Sequence, residues 1–271
     1  MSISFKKLSA ALAMIMIMAF TLSACGTKAK AWDGKVLRIG VDDSYPPMEF
    51  RDDKNKLVGF DVDLAEAIAQ KLGVKTEYTP IIFDGIFAAL DTNKYDIIVS
   101  SVSMTKGRVD KYLFTKPYLA NGQYIVVAPG NNNINKIEDL KGKKVGVQRS
   151  TTASSSADKF KSKIGFEVIS YDQVIQPFAD LKTGRLDAVV ADSMVAQDYA
   201  AKDKSSYKVS SVKLTNEPIS ICMTKANSDL QAKMNKALDE LKADGTLKKI
   251  SEKWCYGKDL TSNIDENLTE E

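Results

Sequence analysis

Apolar residues along this chain fall into two alternating patterns, short unbroken runs and stripes at helical spacing, and their order predicts the elements. Residues 36–41 read as a strand that runs into the polar loop Asp42-Asp43-Ser44-Tyr45-Pro46-Pro47 and a hairpin through Phe50 and Leu57. A helix follows, with Asp61 as its N-cap, Leu64, Ala65, Ile68 and Leu72 as its apolar stripe, and Gly73 as its stop. A strand over 76–80, a short helix over 84–90 and a strand over 95–99 complete a β-α-β-α-β series. After a strand over 124–128 the series restarts, with strands over 144–147, 167–171 and 188–191 and helices ending near Lys161 and Thr183. A helix over 193–203, strands over 207–212 and 219–224, and two C-terminal helices separated at Gly245 close the chain.

The restart is also visible in the residues themselves. Leu90-Asp-Thr-Asn-Lys-Tyr-Asp-Ile-Ile-Val-Ser-Ser101 and Leu181-Lys-Thr-Gly-Arg-Leu-Asp-Ala-Val-Val-Ala-Asp192 lie 91 positions apart. Each reads as a helix end, a turn, an Asp and then an apolar run of the kind buried in a parallel sheet. The fold class is therefore α/β, with two lobes, each a mixed, mostly parallel sheet flanked by helices. Ligands collect outside the carboxyl ends of such strands, so Ser100-Ser101 and Ala191-Asp192 would face one ligand from two sides. The run at 219–224 is surplus to the second series and would complete the first lobe's sheet on its return. That predicts two crossings, near 121–123 and 214–218, and a hinge about which the lobes close. The expected boundaries are 35–122 and 216–258 for lobe one and 123–215 for lobe two.

The two ends of the chain stand apart from this plan. Lys6 and Lys7 precede an unbroken apolar stretch over 10–20, too short to span a bilayer, and the pattern is that of a signal peptide, 1–24. It ends in Leu22-Ser23-Ala24-Cys25, which resembles a bacterial lipobox, where small residues precede a Cys that is lipidated and becomes the first residue of the mature chain. An ordinary cleavage site beside a chance Cys would instead release the protein. Residues 25–34 form the lipidated Cys25 and a tether, and the acidic tail over 259–271 is expected to be disordered.

Composition excludes more than it selects. Of 271 residues with formal charge +3, the mature 247 carry about +1, which leaves no basic excess for a nucleic-acid backbone. The absence of histidine removes Ser-His-Asp and Cys-His catalysis and, with only three cysteines at wide spacing, argues against a zinc site; no metal or other cofactor is expected. Cys222 and Cys255 could pair outside the membrane or stay as two buried thiols, and spacing leaves both open.

The densest polar cluster at a strand end is Ser100-Ser101-Val102-Ser103-Met104-Thr105 with Arg108. Its hydroxyls, the first N–H groups of the next helix and the guanidinium fork suit a carboxylate, but Thr105 as a plain cap with Arg108 on a wet face fits equally well. Asp192 could accept from an ammonium, although on spacing alone an N-cap for the helix from Ser193 is favoured two to one. Tyr45 and Phe83 follow strands of lobe one, where rings could sandwich an aliphatic chain or cover a cation, against simple core packing.

Several ordered motifs together resemble a known family. Tyr45-Pro-Pro-Met-Glu-Phe, Leu57-Val-Gly-Phe-Asp-Val-Asp-Leu-Ala65, Tyr95-Asp-Ile-Ile-Val-Ser-Ser-Val-Ser-Met-Thr105 with Arg108, Val145-Gly-Val-Gln148 with Thr151-Thr152, and Gly184-Arg-Leu-Asp-Ala-Val-Val-Ala-Asp192 are similar to the polar amino-acid substrate-binding proteins of ABC importers, over about residues 35–258. The resemblance implies a periplasmic-binding-protein fold with two hinge strands, closing as a monomer on a free L-amino acid for an ABC permease and its ATPase. By that resemblance Arg108 clamps the ligand carboxylate with Ser103 and the Thr152 N–H, Asp192 and a group near Ser101 hold the α-ammonium, and the side chain lies between Tyr45 and Phe83 with Asp42 and Ser100 at its far end. It thereby reverses the cap reading of Asp192. Asp42 with the serines leans towards a cationic ligand (arginine, lysine, ornithine or histidine), while Gln148, where some relatives carry Lys, keeps glutamine, cystine or another neutral amino acid open. Lipidation at Cys25 would hold the protein on the outer face of the cell membrane. The same fold resembles cyclohexadienyl dehydratases, for which Asp42, Asp43 and Glu49 would be the nearby acids, and an anchored sensor would look the same; binding without catalysis is expected.

Overall fold

The computed structural model describes residues 31–265 and 267–268. The expected signal peptide, Cys25 and the tether up to residue 30 lie outside the described residues.

Two five-stranded sheets, one per lobe, carry the fold. The first is built from β1 (Val36–Val41), β5 (Lys75–Pro80), β6 (Ile97–Ile98), β7 (Leu113–Phe114) and β15 (Cys222–Met223), in the order β5-β1-β6-β15-β7. The second is built from β9 (Gln123–Val127), β10 (Lys144–Gln148), β11 (Glu167–Tyr171), β12 (Ala188–Asp192) and β13 (Lys208–Lys213), in the order β11-β10-β12-β9-β13. In both, the opening strand pairs in parallel with its two successors, β1 with β5 and β6, β10 with β11 and β12. The two repeated segments thus become β6 and β12, third members of the same arrangement.

Each sheet is finished by an antiparallel strand that enters across the junction. β9 pairs with β12, and β15 slots between β6 and β7. The junction itself is an antiparallel pair, β8 (Leu119–Asn121) and β14 (Glu217–Ile219), with Glu217 opposite Asn121. Gly122 follows β8 at a point where a Cβ would meet the Thr215 carbonyl oxygen at 2.3 Å and Lys213 Cε at 2.6 Å, so the two crossing chains touch backbone to backbone. A three-stranded meander, β2 (Ser44–Tyr45), β3 (Glu49–Arg51) and β4 (Leu57–Val58), stands beside the first sheet.

Helices cover the sheets. In lobe one these are α1 (Phe60–Leu72), α2 (Phe83–Asp91), α3 (Lys106–Lys111), α7 (Ser228–Ala243) and α8 (Thr246–Trp254). In lobe two they are α4 (Thr152–Ile164), α5 (Ile175–Lys182) and α6 (Ser193–Lys202). The stripe on α1 packs as its spacing requires, with Leu64, Ala65 and Ile68 buried beside Leu37 and Ile39 of β1. Gly73 ends the helix in the left-handed conformation at φ 71°.

Three expectations are corrected. Asp61 is not the N-cap of α1: Gly59 takes that place at φ 139°, because the Met48 carbonyl oxygen lies 2.0 Å from where a Cβ would stand. Asp61 turns inward instead and accepts from the Tyr118 hydroxyl at 2.7 Å and the Ser101 N–H at 2.6 Å. The run at 219–224 is two strands, since the chain leaves β8 and joins β6 and β7, spending the Ser220 and Ile221 N–H groups on Val102 and Thr115 in between. The tail begins as docked chain: Leu260 packs on the core of lobe one and accepts from the Ala120 N–H at 2.9 Å, and Thr261 is buried. An acidic average over thirteen residues hid one apolar side chain and one sheet edge in need of a partner. Cys222 and Cys255, left open by their spacing, are both buried free thiols.

Gly122→Ala should be resisted by the Thr215 carbonyl on the facing crossing. Overpacking of this kind costs about 1–3 kcal/mol, so a fall of that size in urea denaturation is expected, and unchanged stability would mean that the crossings are not in rigid contact.

Candidate functional site

Beyond the carboxyl ends of β6 and β12 a small cavity lies between the lobes. Tyr45, Phe83, Ser100, Ser101, Ser103 and Arg108 line it from lobe one, and Gln148, Thr151, Thr152 and Asp192 from lobe two. Nine of the ten residues singled out from the sequence meet there. Asp42 stands one step behind, with its Oδ2 accepting from Gln148 Nε2 at 2.6 Å.

Local sequence explains how each wall is set. Ser101 turns the chain after β6 at φ 45°, a left-handed position held by Asp61, whose carboxylate takes both the Ser101 N–H and its hydroxyl. Thr105 does cap α3, accepting from the Arg108 N–H at 3.2 Å. Arg108 nevertheless leaves the wet face: it is 9% exposed, its guanidinium lies 5.8 Å from the Phe83 ring centroid and 5.1 Å from that of Phe87, and it donates to the Ser103 carbonyl at 3.1 Å. A second bond, to the Ser150 carbonyl at 3.4 Å, reaches into lobe two. Thr151 caps α4, so Thr152 begins that helix and carries one of its unpartnered first N–H groups at the cavity wall.

Asp192 sits at the N-cap position of α6 without capping it. Its carboxylate is drawn inward, where Gln123 Nε2 donates to Oδ1 and the Tyr45 hydroxyl reaches the same group from lobe one. Burial, and secondarily the charge of Glu217, pushes Asp192 up to about 6. A cation brought beside it would favour the ionised form and offset both effects. Tyr45 also packs on the cores of both lobes, which makes it a bridge as well as a wall.

The far end is acidic, and most of its carboxylate oxygens are hydrogen-bonded. Asp42 takes Ser44 on Oδ1 and Gln148 on Oδ2, and burial raises it above an ordinary aspartate. The Ser100 hydroxyl accepts from the Asp42 N–H at 3.0 Å and donates to Glu49 Oε1 at 2.6 Å. Glu49 is fully buried and raised well above the usual carboxylate range, by burial first and then by Asp61.

Sequence reasoning missed Gln123 and Glu217. Both are buried in the junction, and each bonds residues of the cavity wall: Gln123 reaches Thr152 at 3.1 Å, and Glu217 accepts from Ser103 at 2.6 Å and Thr152 at 2.8 Å. Neither belongs to a repeat or a periodic pattern. The signal that could have found them is a polar residue inside an otherwise apolar crossing segment, Gln123 before Tyr-Ile-Val-Val and Glu217 before Pro-Ile.

Over residues 37–258 the chain matches the family model of bacterial extracellular solute-binding proteins, family 3. The L-cystine-binding protein TcyJ of Escherichia coli (strain K12) is 34% identical over 238 residues, 87% of this chain and 88% of that protein. The L-arginine-binding protein of Pseudomonas aeruginosa is 34% identical over 248 residues, 89% and 95% of the two chains. Among solved structures, an ancestral arginine-binding protein bound to arginine superposes with a TM-score of 0.78 at 45% identity, covering 81% of this chain and 97% of its own. The matching two-lobed architecture and a family match that spans both lobes lead to one conclusion: this chain belongs to the bacterial extracellular solute-binding proteins of family 3.

Proposed function

We propose that the protein captures a free L-amino acid between its lobes and delivers it to an ABC permease and ATPase. The observation that carries this reading is the division of charge across one cavity, Arg108 from lobe one and Asp192 from lobe two. A zwitterion is the complement of that pair. Burying either of its charges without a partner costs several kcal/mol, and only the closed arrangement offers both partners at once, so a ligand held by Arg108 favours closure onto Asp192. Phe83 and Tyr45 set two rings in the cavity wall for the ligand side chain, and Ser100 and Gln148 line it next to the Asp42 carboxylate.

Within that class we favour a cationic amino acid, such as arginine, lysine, ornithine or histidine. Asp42, Asp192 and Glu217 supply more acid around the cavity than the single Arg108 balances, and relatives at similar identity are named for arginine as well as cystine. A neutral ligand is the alternative because Gln148 and Ser44 already occupy both oxygens of Asp42. Binding without turnover is supported by the placement of the remaining acids: Asp43 pairs with Arg51 outside the cavity, and Glu49 lies behind Ser100. By the pattern around Cys25 the protein is lipid-anchored on the outer face of the cell membrane, where two or more acyl chains make attachment stable, and by the family resemblance it works as a monomer.

Thermal unfolding of the mature protein against the twenty amino acids, ornithine and cystine tests the reading. A ligand at a hundred times its Kd stabilises by about 2.7 kcal/mol, a rise of roughly 5–10 °C for a chain of this size, and no shift with any of them would sink the transport function. Asp42→Ala should weaken a cationic ligand far more than a neutral one, and equal losses in calorimetry would remove the cationic preference.

The sign of the pH dependence follows from Asp192. Its folded value is raised to about 6, so without ligand its contribution to stability is present below the unfolded value and is lost as pH rises through about 6. Pairing with an α-ammonium needs the ionised form, which reverses the slope for binding. Affinity should strengthen about tenfold from pH 5 to pH 7 and then level off. Asp192→Asn should bind weakly with a flat profile, whereas a wild-type profile without a slope would remove Asp192 from ammonium recognition.

A further inference from the structure

Glu217 has entered so far only through its charge, yet it is among the most enclosed charged residues of the described chain, 1% exposed at the start of β14. Its Oε1 accepts from the Thr215 hydroxyl at 2.6 Å. Its Oε2 collects the Ser103 hydroxyl at 2.6 Å, the Thr152 hydroxyl at 2.8 Å and Gln123 Nε2 at 3.3 Å. These donors come from the loop after β6 in lobe one, the first residue of α4 in lobe two, and β9 beside the junction. One carboxylate therefore ties both lobes to the hinge at the floor of the cavity.

The consequence is in the protons. A hydroxyl has one O–H to donate and two lone pairs to accept with, while an ionised carboxylate only accepts. At 2.6 and 2.8 Å the Ser103 and Thr152 contacts are short, charge-assisted bonds, so both hydroxyl protons are spent on Glu217. What Ser103 and Thr152 can still show the cavity is lone pairs. Thr152 Oγ1 uses one of its own on Gln123, whose amide also donates to Asp192.

We propose that Glu217 is a positioning residue for ligand recognition: by taking the protons of Ser103 and Thr152 it turns that stretch of cavity wall, together with Asp192, into an acceptor surface for the ligand's α-ammonium. The carboxylate is then left to Arg108 and to main-chain N–H groups such as that of Thr152. This differs from the resemblance-based role of Ser103 as a carboxylate partner, and it rests on the amino-acid reading above. Replacement by Gln removes the charge and offers an N–H₂ in place of one acceptor oxygen. The two hydroxyls then turn their protons outward, and the wall becomes a donor surface.

Two measurements on the mature protein test this. The first uses no ligand: in a double-mutant cycle of Glu217→Gln and Ser103→Ala, the urea midpoints should be strongly non-additive, because each change removes the same bond. The second uses arginine and 5-guanidinopentanoate, which lacks only the α-ammonium, in calorimetry or competition. Glu217→Gln should weaken arginine about ten- to hundredfold and leave 5-guanidinopentanoate within about twofold of wild type. An additive cycle, or equal losses for both ligands, overturns the proposal while leaving amino-acid binding intact. A non-additive cycle in a protein that binds no amino acid would instead sink the transport reading and uphold the bond geometry on which Glu217 acts.

Discussion

Burial of unlike charges where the two lobes meet is the constraint on which the rest of this structure depends. Asp42, Glu49, Asp61, Asp192, Glu217 and Arg108 are all at most 9% exposed, and an ion taken from water without compensation costs several kcal/mol. The protein meets that cost with donors from separate elements. Gln148 crosses from lobe two to Asp42, Tyr118 and Ser101 serve Asp61, and Ser103, Thr152 and Gln123 serve Glu217. Because many of those bonds span the junction, the charge network and the relative placement of the lobes are one problem. A lobe that moved away would leave carboxylates short of partners or would have to admit water to them.

The topology makes such coupling available. Each lobe keeps the same parallel core of three strands, then borrows its fourth from the chain that has just crossed over, β9 in one and β15 in the other. Residues next to the crossings, Gln123 and Glu217, are thereby fixed by sheet or strand pairing at the same time as they reach the cavity. Gly122, pressed against the Thr215 carbonyl, lets the two crossings pass closely enough for this. The duplicated halves differ where chemistry is needed: β6 leads into serines and Arg108, and β12 leads into Asp192.

Much of this was legible in the chain. Short apolar runs and stripes at helical spacing gave most of the strands and helices, since those patterns report which side chains must leave water. The repeat exposed the duplication and the two strand ends that face each other, and the surplus strand required a return crossing. Of the ten residues singled out, nine line one cavity and the tenth bonds to it; the serines after β6 stood out as a polar cluster against an apolar run, while Asp42, Gln148, Thr152 and the ligand role of Asp192 came from the family resemblance. Sequence faltered where two readings share one residue type. Asp61 looked like a helix cap and is a buried acceptor, and an acidic tail hid a docked Leu260.

What the sequence determined by itself was the order of elements, the doubling of the plan and the choice of chemistry at each strand end, all of which depend on neighbours within a few residues. Only the tertiary structure decided which charges meet. Asp192 and Glu217 lie 25 positions apart, and Ser103 and Glu217 lie 114 apart, yet they share one network through Gln123. The partner of a buried charge is set by the packing of whole sheets against a hinge, and no local pattern records it.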